Sequence, residues 1–143
     1  MTEHYILNAG AGFINMSPMA FHRWATHYYK CRQDFQSPHS FSPVPYFLLC
    51  RAIELGLKSK HLEDKRQQEV KNEFGHNLAK SYQALPVTAQ QLSVDDFSIL
   101  EHASAIYASK GFEYFNPEDA LTSYSRFPDI AALDSIAKRL IDL

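Results

Sequence analysis

The sequence predicts an all-α fold, an antiparallel bundle of five or six helices. Alanine and leucine together number 29, whereas valine, isoleucine and threonine number 16, so residues that favour helices outnumber those that favour strands. The chain contains no Asn-Gly or Asp-Gly pair, which would be the strongest short signal for a β-hairpin. Apolar residues recur instead at helical spacing between the residues that start and stop helices. A chain of 143 residues is long enough for one such core.

Residues 1–16 are predicted to form a loosely held N-terminal arm, and residues 17–143 a single helical bundle domain. Ser17 supplies an N-cap, and Pro18 follows at the first helical position, where the missing N–H costs nothing. The first helix should extend to about Asp34. Its apolar stripe, which must pack on another element, consists of Met19, Ala20, Trp24, Ala25, Tyr28 and Cys31.

A second helix is predicted after a connector rich in serine and proline over residues 36–42. Ser42 and Pro43 repeat the start signal, and the helix should reach about His61. Ten of the twelve residues in 46–57 are apolar or glycine. A helix that is apolar on nearly every side is enclosed by its neighbours. We therefore expect this helix at the centre of the bundle.

The charged residues of this helix, Arg51, Glu54 and Lys58, lie three and four positions apart and share one narrow stripe. We call this stripe the polar seam. Both spacings allow ion pairs within a helix, so the polar seam can satisfy itself without a ligand. Alternatively, Arg51 and Lys58 keep spare donors for a phosphate at a groove, and Glu54 orients them.

Residues 63–73 are mostly charged and predict either a surface helix or a loop. Gly75 is a plausible helix stop before a short helix over residues 76–85, which Pro86 ends. For His76 two roles are open. It either caps a backbone group at the start of that short helix, or it binds a ligand or moves a proton.

Two further helices are predicted in the C-terminal third. Ser93 opens a helix that ends at Lys110-Gly111, and its buried face consists of Phe97, Leu100, Ala103, Ser104 and Tyr107. Residues 112–127 predict either a short helix or an extended aromatic segment packed across helix ends. The last helix has an inner face made of Ile130, Leu133, Ile136, Ala137, Leu140 and Ile141.

The segments 52–58 (AIELGLK) and 75–78 (GHNL) together resemble HEPN-like helical proteins. Members of that family often carry an Ala-x-Glu-x-x-x-Lys helix and a Gly-His-Asp/Asn-Leu helix start. The resemblance covers residues 43–85. It implies an antiparallel helical bundle that commonly dimerises. It also implies a role as a ribonuclease, as a toxin or antitoxin partner of a small nucleotidyltransferase, or as a binder of nucleotides or RNA.

The ribonuclease members of that family use an arginine followed four to six residues later by a histidine in a late helix. No histidine follows Arg126 or Arg139 here. Lys71 and His76 have the right spacing, but lysine lacks the planar fork that clamps a phosphate with two bonds. We therefore interpret the chain as a non-catalytic module that binds a nucleotide or RNA, as a regulatory or toxin–antitoxin component, and we assign it no catalytic residue. One alternative is a metal-independent ribonuclease that uses His76 with Lys71 or Arg51, and another is a protein-interaction scaffold.

The distribution of charge favours an anionic ligand near the middle of the chain. Residues 51–81 carry seven Lys or Arg against five Asp or Glu, whereas residues 93–143 carry four against nine. The candidate ligand-binding residues are Arg51, Glu54, Lys58, His76, Asn77 and Lys80. The expected partners are a second copy of the chain, RNA or a nucleotide, and a nucleotidyltransferase-type protein, with no membrane.

Other chemistries find little support in the sequence. His22 and His27 are five positions apart and so lie on different helical faces, and the two cysteines form no Cys-x-x-Cys pair. We expect no metal and no cofactor, since no glycine-rich nucleotide loop and no Gly-x-Ser-x-Gly elbow occurs. No apolar run is long enough to cross a bilayer and no secretion signal is evident, which predicts a cytoplasmic protein.

Overall fold

The computed structural model describes residues 17–143, which form seven α-helices and a short 3₁₀ helix at Val87–Ala89 and contain no strand. The α-helices are α1 (Pro18–Asp34), α2 (Val44–His61), α3 (Gln67–Phe74), α4 (Leu78–Gln83), α5 (Val94–Ala108), α6 (Pro117–Leu121) and α7 (Ile130–Ile141). The predicted all-α class is confirmed. One helix more than expected is present, because each of the two ambiguous segments contains a short one. The predicted arm, residues 1–16, lies outside the described residues.

The second helix, α2, is the centre of the bundle. It packs against α1, α4, α5 and α7. Leu49, Ile53 and Leu57 in this helix are fully buried, together with inner residues of α5 and α7. Burial of such side chains contributes about 1.5–3 kcal/mol each. The prediction of an enclosed central helix is therefore confirmed.

The first helix presents only part of its predicted stripe to the core. Met19 is 71% exposed and Trp24 is 50% exposed, whereas Phe21, Ala25 and Tyr28 pack against α2. The observed stripe follows the spacing i, i+4 and i+7 from Phe21. Ala25 and Tyr28 belong to the predicted stripe, whereas Phe21 does not. The sequence offered apolar residues on both faces, and the prediction for Met19 and Trp24 was wrong.

Residues 112–127, for which the sequence predicted either a short helix or an extended aromatic segment, contain the short helix α6. Asn116 caps α6 by accepting a hydrogen bond of 3.0 Å from the N–H of Glu118. Phe112 stacks on Tyr46, whose hydroxyl donates to the carbonyl oxygen of Pro128 at 2.8 Å. Aromatic packing therefore attaches this segment to the first turn of α2.

Residues 75–77 form the turn between α3 and α4, and the Phe74 ring at the end of α3 stacks on His61 of α2. Gly75, at φ +51°, ends α3 in a region that favours glycine. Asn77 then caps α4, so this helix begins two residues later than predicted. Of the helices in residues 17–143, none is both long and apolar enough to cross a membrane.

Candidate functional site

The carboxylate of Glu54 lies at the centre of the polar seam, and its side chain is only 4% exposed. Arg51 stands one turn before it in α2, and Lys58 one turn after it. The Nη1 atom of Arg51 donates to Oε2 at 3.2 Å, and the Nζ atom of Lys58 donates to the same oxygen at 3.1 Å. The spacings i, i+3 and i+4 therefore bring all three charges together, as the sequence indicated.

The other carboxylate oxygen, Oε1, receives two donors from outside α2. The Nδ1 atom of His76 lies 2.7 Å from it, and the hydroxyl of Tyr107 donates to it at 2.8 Å. We call Arg51, Glu54, Lys58, His76 and Tyr107 the Glu54 cluster. A buried carboxylate with four donors is well compensated for the loss of water.

The surroundings of Glu54 keep it ionised. Burial alone would raise its pKa, but the charge of Lys58 and the hydrogen bonds from His76, Tyr107 and Lys58 outweigh burial and lower the pKa. Tyr107 changes in the opposite direction, because burial and the nearby Glu54 charge raise the pKa of its phenol. At neutral pH the cluster therefore contains a carboxylate and a neutral phenol.

Arg51 has contacts beyond Glu54. Its Cζ atom lies 5.9 Å from the centroid of the Tyr28 ring, a cation–π distance. Burial would lower its pKa, but a hydrogen bond with Tyr107 and the charge of Glu54 raise it. These contacts hold the guanidinium group between α1 and α5.

The position of His76 follows from the turn between α3 and α4. Gly75 ends one helix, Asn77 caps the next, and His76 lies between them. The hydroxyl oxygen of Ser104 in α5 accepts hydrogen bonds from the N–H groups of Leu78 and Ala79 at 2.9 and 3.2 Å, which fixes the start of α4. The turn is thereby held with the His76 ring against Glu54 and Tyr107.

A cleft of about 350 Å³ opens beside the Glu54 cluster. It is lined by the polar residues Arg51, Glu54, Lys58, Gln67, Lys71 and His76, by Gly75, and by the apolar residues Phe21, Leu55, Leu62 and Val70. A cleft of this size that combines an apolar wall with several polar side chains can hold a small ligand. We call it the α2–α3 cleft.

Charge in the α2–α3 cleft is predominantly positive. Within residues 17–143, three cationic side chains line it against the single carboxylate of Glu54, which leaves a net charge of two before any proton on His76 is counted. Lys58 is 11% exposed and Arg51 is 33% exposed. The ammonium group of Lys71 forms no ion pair with any residue of 17–143. Arg51 and Lys58 each have donors beyond the one that Glu54 accepts.

The structure brings together four of the six residues that sequence analysis had proposed for ligand binding. Arg51, Glu54, Lys58 and His76 line the α2–α3 cleft. Asn77 and Lys80 are not among its lining residues in the described part of the chain, which differs from the expectation of a shared groove. The Oδ1 atom of Asn77 accepts from the backbone N–H of Lys80 at 3.0 Å, so this amide is engaged in capping α4.

Two interpretations of single residues are corrected. The alternative in which His76 caps a backbone group is wrong, since its Nδ1 atom bonds Glu54 and Asn77 supplies the cap. Tyr107 was assigned only to the buried face of α5, yet its hydroxyl belongs to the cluster. A tyrosine at a buried helical position was the available signal, because a buried hydroxyl needs a partner. Nothing in the sequence indicated which residue that partner would be.

No group of three or more His, Cys, Asp or Glu side chains within residues 17–143 could hold a metal ion. Comparison with protein-family models, with curated proteins and with solved structures finds no match to this chain. The resemblance to HEPN-like proteins therefore stays a prediction.

Proposed function

We propose that this protein is a non-catalytic binding module that holds a phosphate group of a nucleotide or of RNA in the α2–α3 cleft, as a regulatory or toxin–antitoxin component. The observation that carries this proposal is the excess of positive charge in that cleft. Glu54 neutralises one of three cations and keeps Arg51 and Lys58 in place, while Lys71 is unpaired within residues 17–143. A preorganised set of cationic donors is what a phosphate requires.

Ion pairing within the polar seam is compatible with ligand binding by the same residues. The carboxylate of Glu54 already holds the long side chains of Arg51 and Lys58 in place. These side chains therefore lose less conformational entropy when a ligand binds. The apolar wall made by Phe21, Leu55 and Val70 would contact the remainder of the ligand. Because the chain has a net charge of −2, its surface as a whole does not attract an anionic ligand. Recognition of the phosphate would therefore depend on this cleft.

Isothermal titration calorimetry with ATP and with a short single-stranded RNA tests the proposal. We expect saturable binding by the wild type and a loss of at least about tenfold in affinity for Lys71→Ala, equivalent to about 1.4 kcal/mol. Lys71 is the most informative position, because its ammonium group pairs with no residue of 17–143 and its removal leaves the Glu54 cluster intact. Arg51→Ala and Lys58→Ala should also weaken binding.

Two controls accompany this titration. Lys138→Ala removes one exposed cation from the last turn of α7, outside the cleft, and should bind like the wild type. Lys80→Ala tests the residue that sequence analysis had placed in the groove, and we expect no change. Wild-type protein that binds neither ATP nor RNA contradicts the proposal, as does equal binding by Lys71→Ala.

A metal-independent ribonuclease is the second candidate, and one observation favours it. The Nδ1 atom of His76 is held by a carboxylate, an arrangement that orients the other ring nitrogen for proton transfer, and Lys71 and Arg51 line the same cleft. Incubation of purified protein with RNA in the presence of a chelator tests this activity. RNA that stays intact over hours removes the candidate.

The protein-interaction scaffold predicts a different result. In that case exposed apolar residues such as Phe115 and Leu121 would form the interface, and the basic residues of the cleft would be dispensable. The predicted homodimer and the predicted nucleotidyltransferase-type partner belong to the proposal of a non-catalytic binding module. Sedimentation equilibrium of the purified protein measures the first directly.

A further inference from the structure

His76 is the single imidazole of the Glu54 cluster. Its Nδ1 atom lies 2.7 Å from Oε1 of Glu54, and the side chain is 58% exposed. An ionised carboxylate can only accept a hydrogen bond, so Nδ1 carries the proton in both charge states of the ring. The nitrogen that gains or loses a proton is therefore Nε2.

The charged and titratable groups around His76 come from three helices. Helix α2 contributes Arg51, Glu54 and Lys58, α3 contributes Lys71, and α5 contributes Tyr107, whose ring centroid lies 5.9 Å from that of His76. Tyr107 stays neutral, and Glu54 already accepts from two cations. A proton on His76 consequently adds a positive charge to a cleft that already has an excess of two within residues 17–143.

We infer that the α2–α3 cleft takes a dianionic oxyanion, such as a terminal phosphate monoester, and takes up a proton on Nε2 of His76 when it does so. The inference rests on the proposed function, since it concerns the ligand and the regulation of the same cleft. Two excess positive charges match a dianion better than the single charge of a phosphodiester. The protonated ring provides a further N–H donor for the oxyanion.

Proton uptake and anion binding strengthen each other through this arrangement. Without an anion, a proton on His76 is attracted by Glu54 but repelled by Arg51, Lys58 and Lys71. A bound dianion cancels that repulsion and accepts a hydrogen bond from Nε2–H, so the protonated ring is favoured in the complex. By thermodynamic linkage the protonated protein must then bind the dianion more tightly than the neutral one.

Calorimetric titration with sulfate tests the linkage, because sulfate remains dianionic, whereas a phosphate monoester, with a second pKa of about 6, changes its own charge. We expect the affinity of the wild type to fall as pH rises from about 6 to about 8, the range in which imidazoles change charge, by up to about tenfold per unit. Binding enthalpies in buffers of different ionisation enthalpy should report uptake of up to about one proton.

His76→Asn is the matched variant, since its amide N–H can still donate to Glu54 while the titrating nitrogen is gone. We expect its sulfate affinity to be independent of pH and its binding to take up no proton. The buffer series on the wild type needs no variant and gives the same answer if His76→Asn fails to fold. Sulfate binding by the wild type that neither changes with pH nor takes up a proton overturns the linkage.

The preference for a dianion is tested with AMP and cyclic 3′,5′-AMP, which share a base but carry a phosphate monoester and a diester. We expect AMP to bind at least about tenfold more tightly at neutral pH. Equal affinities overturn the preference and leave phosphate binding itself intact. If sulfate, AMP, ATP and RNA all fail to bind at every pH, the proposed function fails with the inference.

Discussion

Tyr107 on α5 donates a hydrogen bond of 2.8 Å to the carboxylate of Glu54 on α2, and both side chains are buried. The two residues are 53 positions apart in the chain. This bond connects the central helix to a helix across the core, and it places the Tyr107 ring beside His76. The position of the α2–α3 cleft therefore depends on a contact inside the core.

Replacing Tyr107 with phenylalanine should destabilise the protein although it changes only one atom. The substitution removes one of four donors to a buried carboxylate, and a hydrogen bond to a charged group contributes about 1.5–3 kcal/mol. Urea unfolding followed by circular dichroism measures the change. Tyr114→Phe is the control, because that side chain is 68% exposed and its loss should be within about 0.5 kcal/mol. Equal stabilities for wild type and Tyr107→Phe would contradict the prediction.

Glu54→Gln should have a larger effect than any other single substitution at the cluster. The amide leaves Arg51 and Lys58 without their anion in a largely buried setting, and breaking a buried pair in this way costs about 3–5 kcal/mol. Thermal and urea unfolding measure the loss. Glu101→Gln, on the exposed side of α5, should leave the unfolding free energy nearly unchanged. A Glu54→Gln protein as stable as Glu101→Gln would show that the pairing contributes nothing.

Acid should remove the stabilisation that Glu54 provides. Burial would raise its pKa, but Lys58, His76 and Tyr107 together lower it, so the unfolded chain binds a proton before the folded chain does. The contribution is therefore fully present above the unfolded pKa of about 4.3 and is lost as pH falls from there through the folded pKa. The unfolding free energies of wild type and Glu54→Gln, measured from about pH 6 to about pH 3, should converge. A constant gap over that range would refute the assignment.

Trp24 should be much less important to stability than its size suggests. Because the indole is 50% exposed, Trp24→Ala should cost less than about 1 kcal/mol, whereas Leu57→Ala, at a fully buried position, should cost about 2–5 kcal/mol. Circular dichroism during urea unfolding compares the two variants. Since Trp24 is the single tryptophan of the chain, quenching of wild-type fluorescence by iodide independently reports its exposure. A Trp24→Ala loss as large as that of Leu57→Ala would contradict the observed face of α1.

Most helix boundaries followed from local chemistry. Ser17 caps α1 and Ser93 caps α5, as the sequence predicted. These outcomes depend on hydrogen bonds between residues two to four positions apart, which the sequence specifies directly. The polar seam was predictable for the same reason, since Arg51, Glu54 and Lys58 meet through the geometry of one helix.

The other features of the fold and of the candidate site depend on contacts between segments that are distant in the sequence. The sequence alone determined that α2 is a buried helix with one charged edge, because composition and helical period are properties of a single segment. Only the tertiary structure decided that His76 and Tyr107 complete that edge, that Asn77 faces its own helix instead, and that α1 buries Phe21 rather than Trp24. The physical reason is that packing selects one rotation of each helix among several that apolar residues allow, and this choice depends on its neighbours.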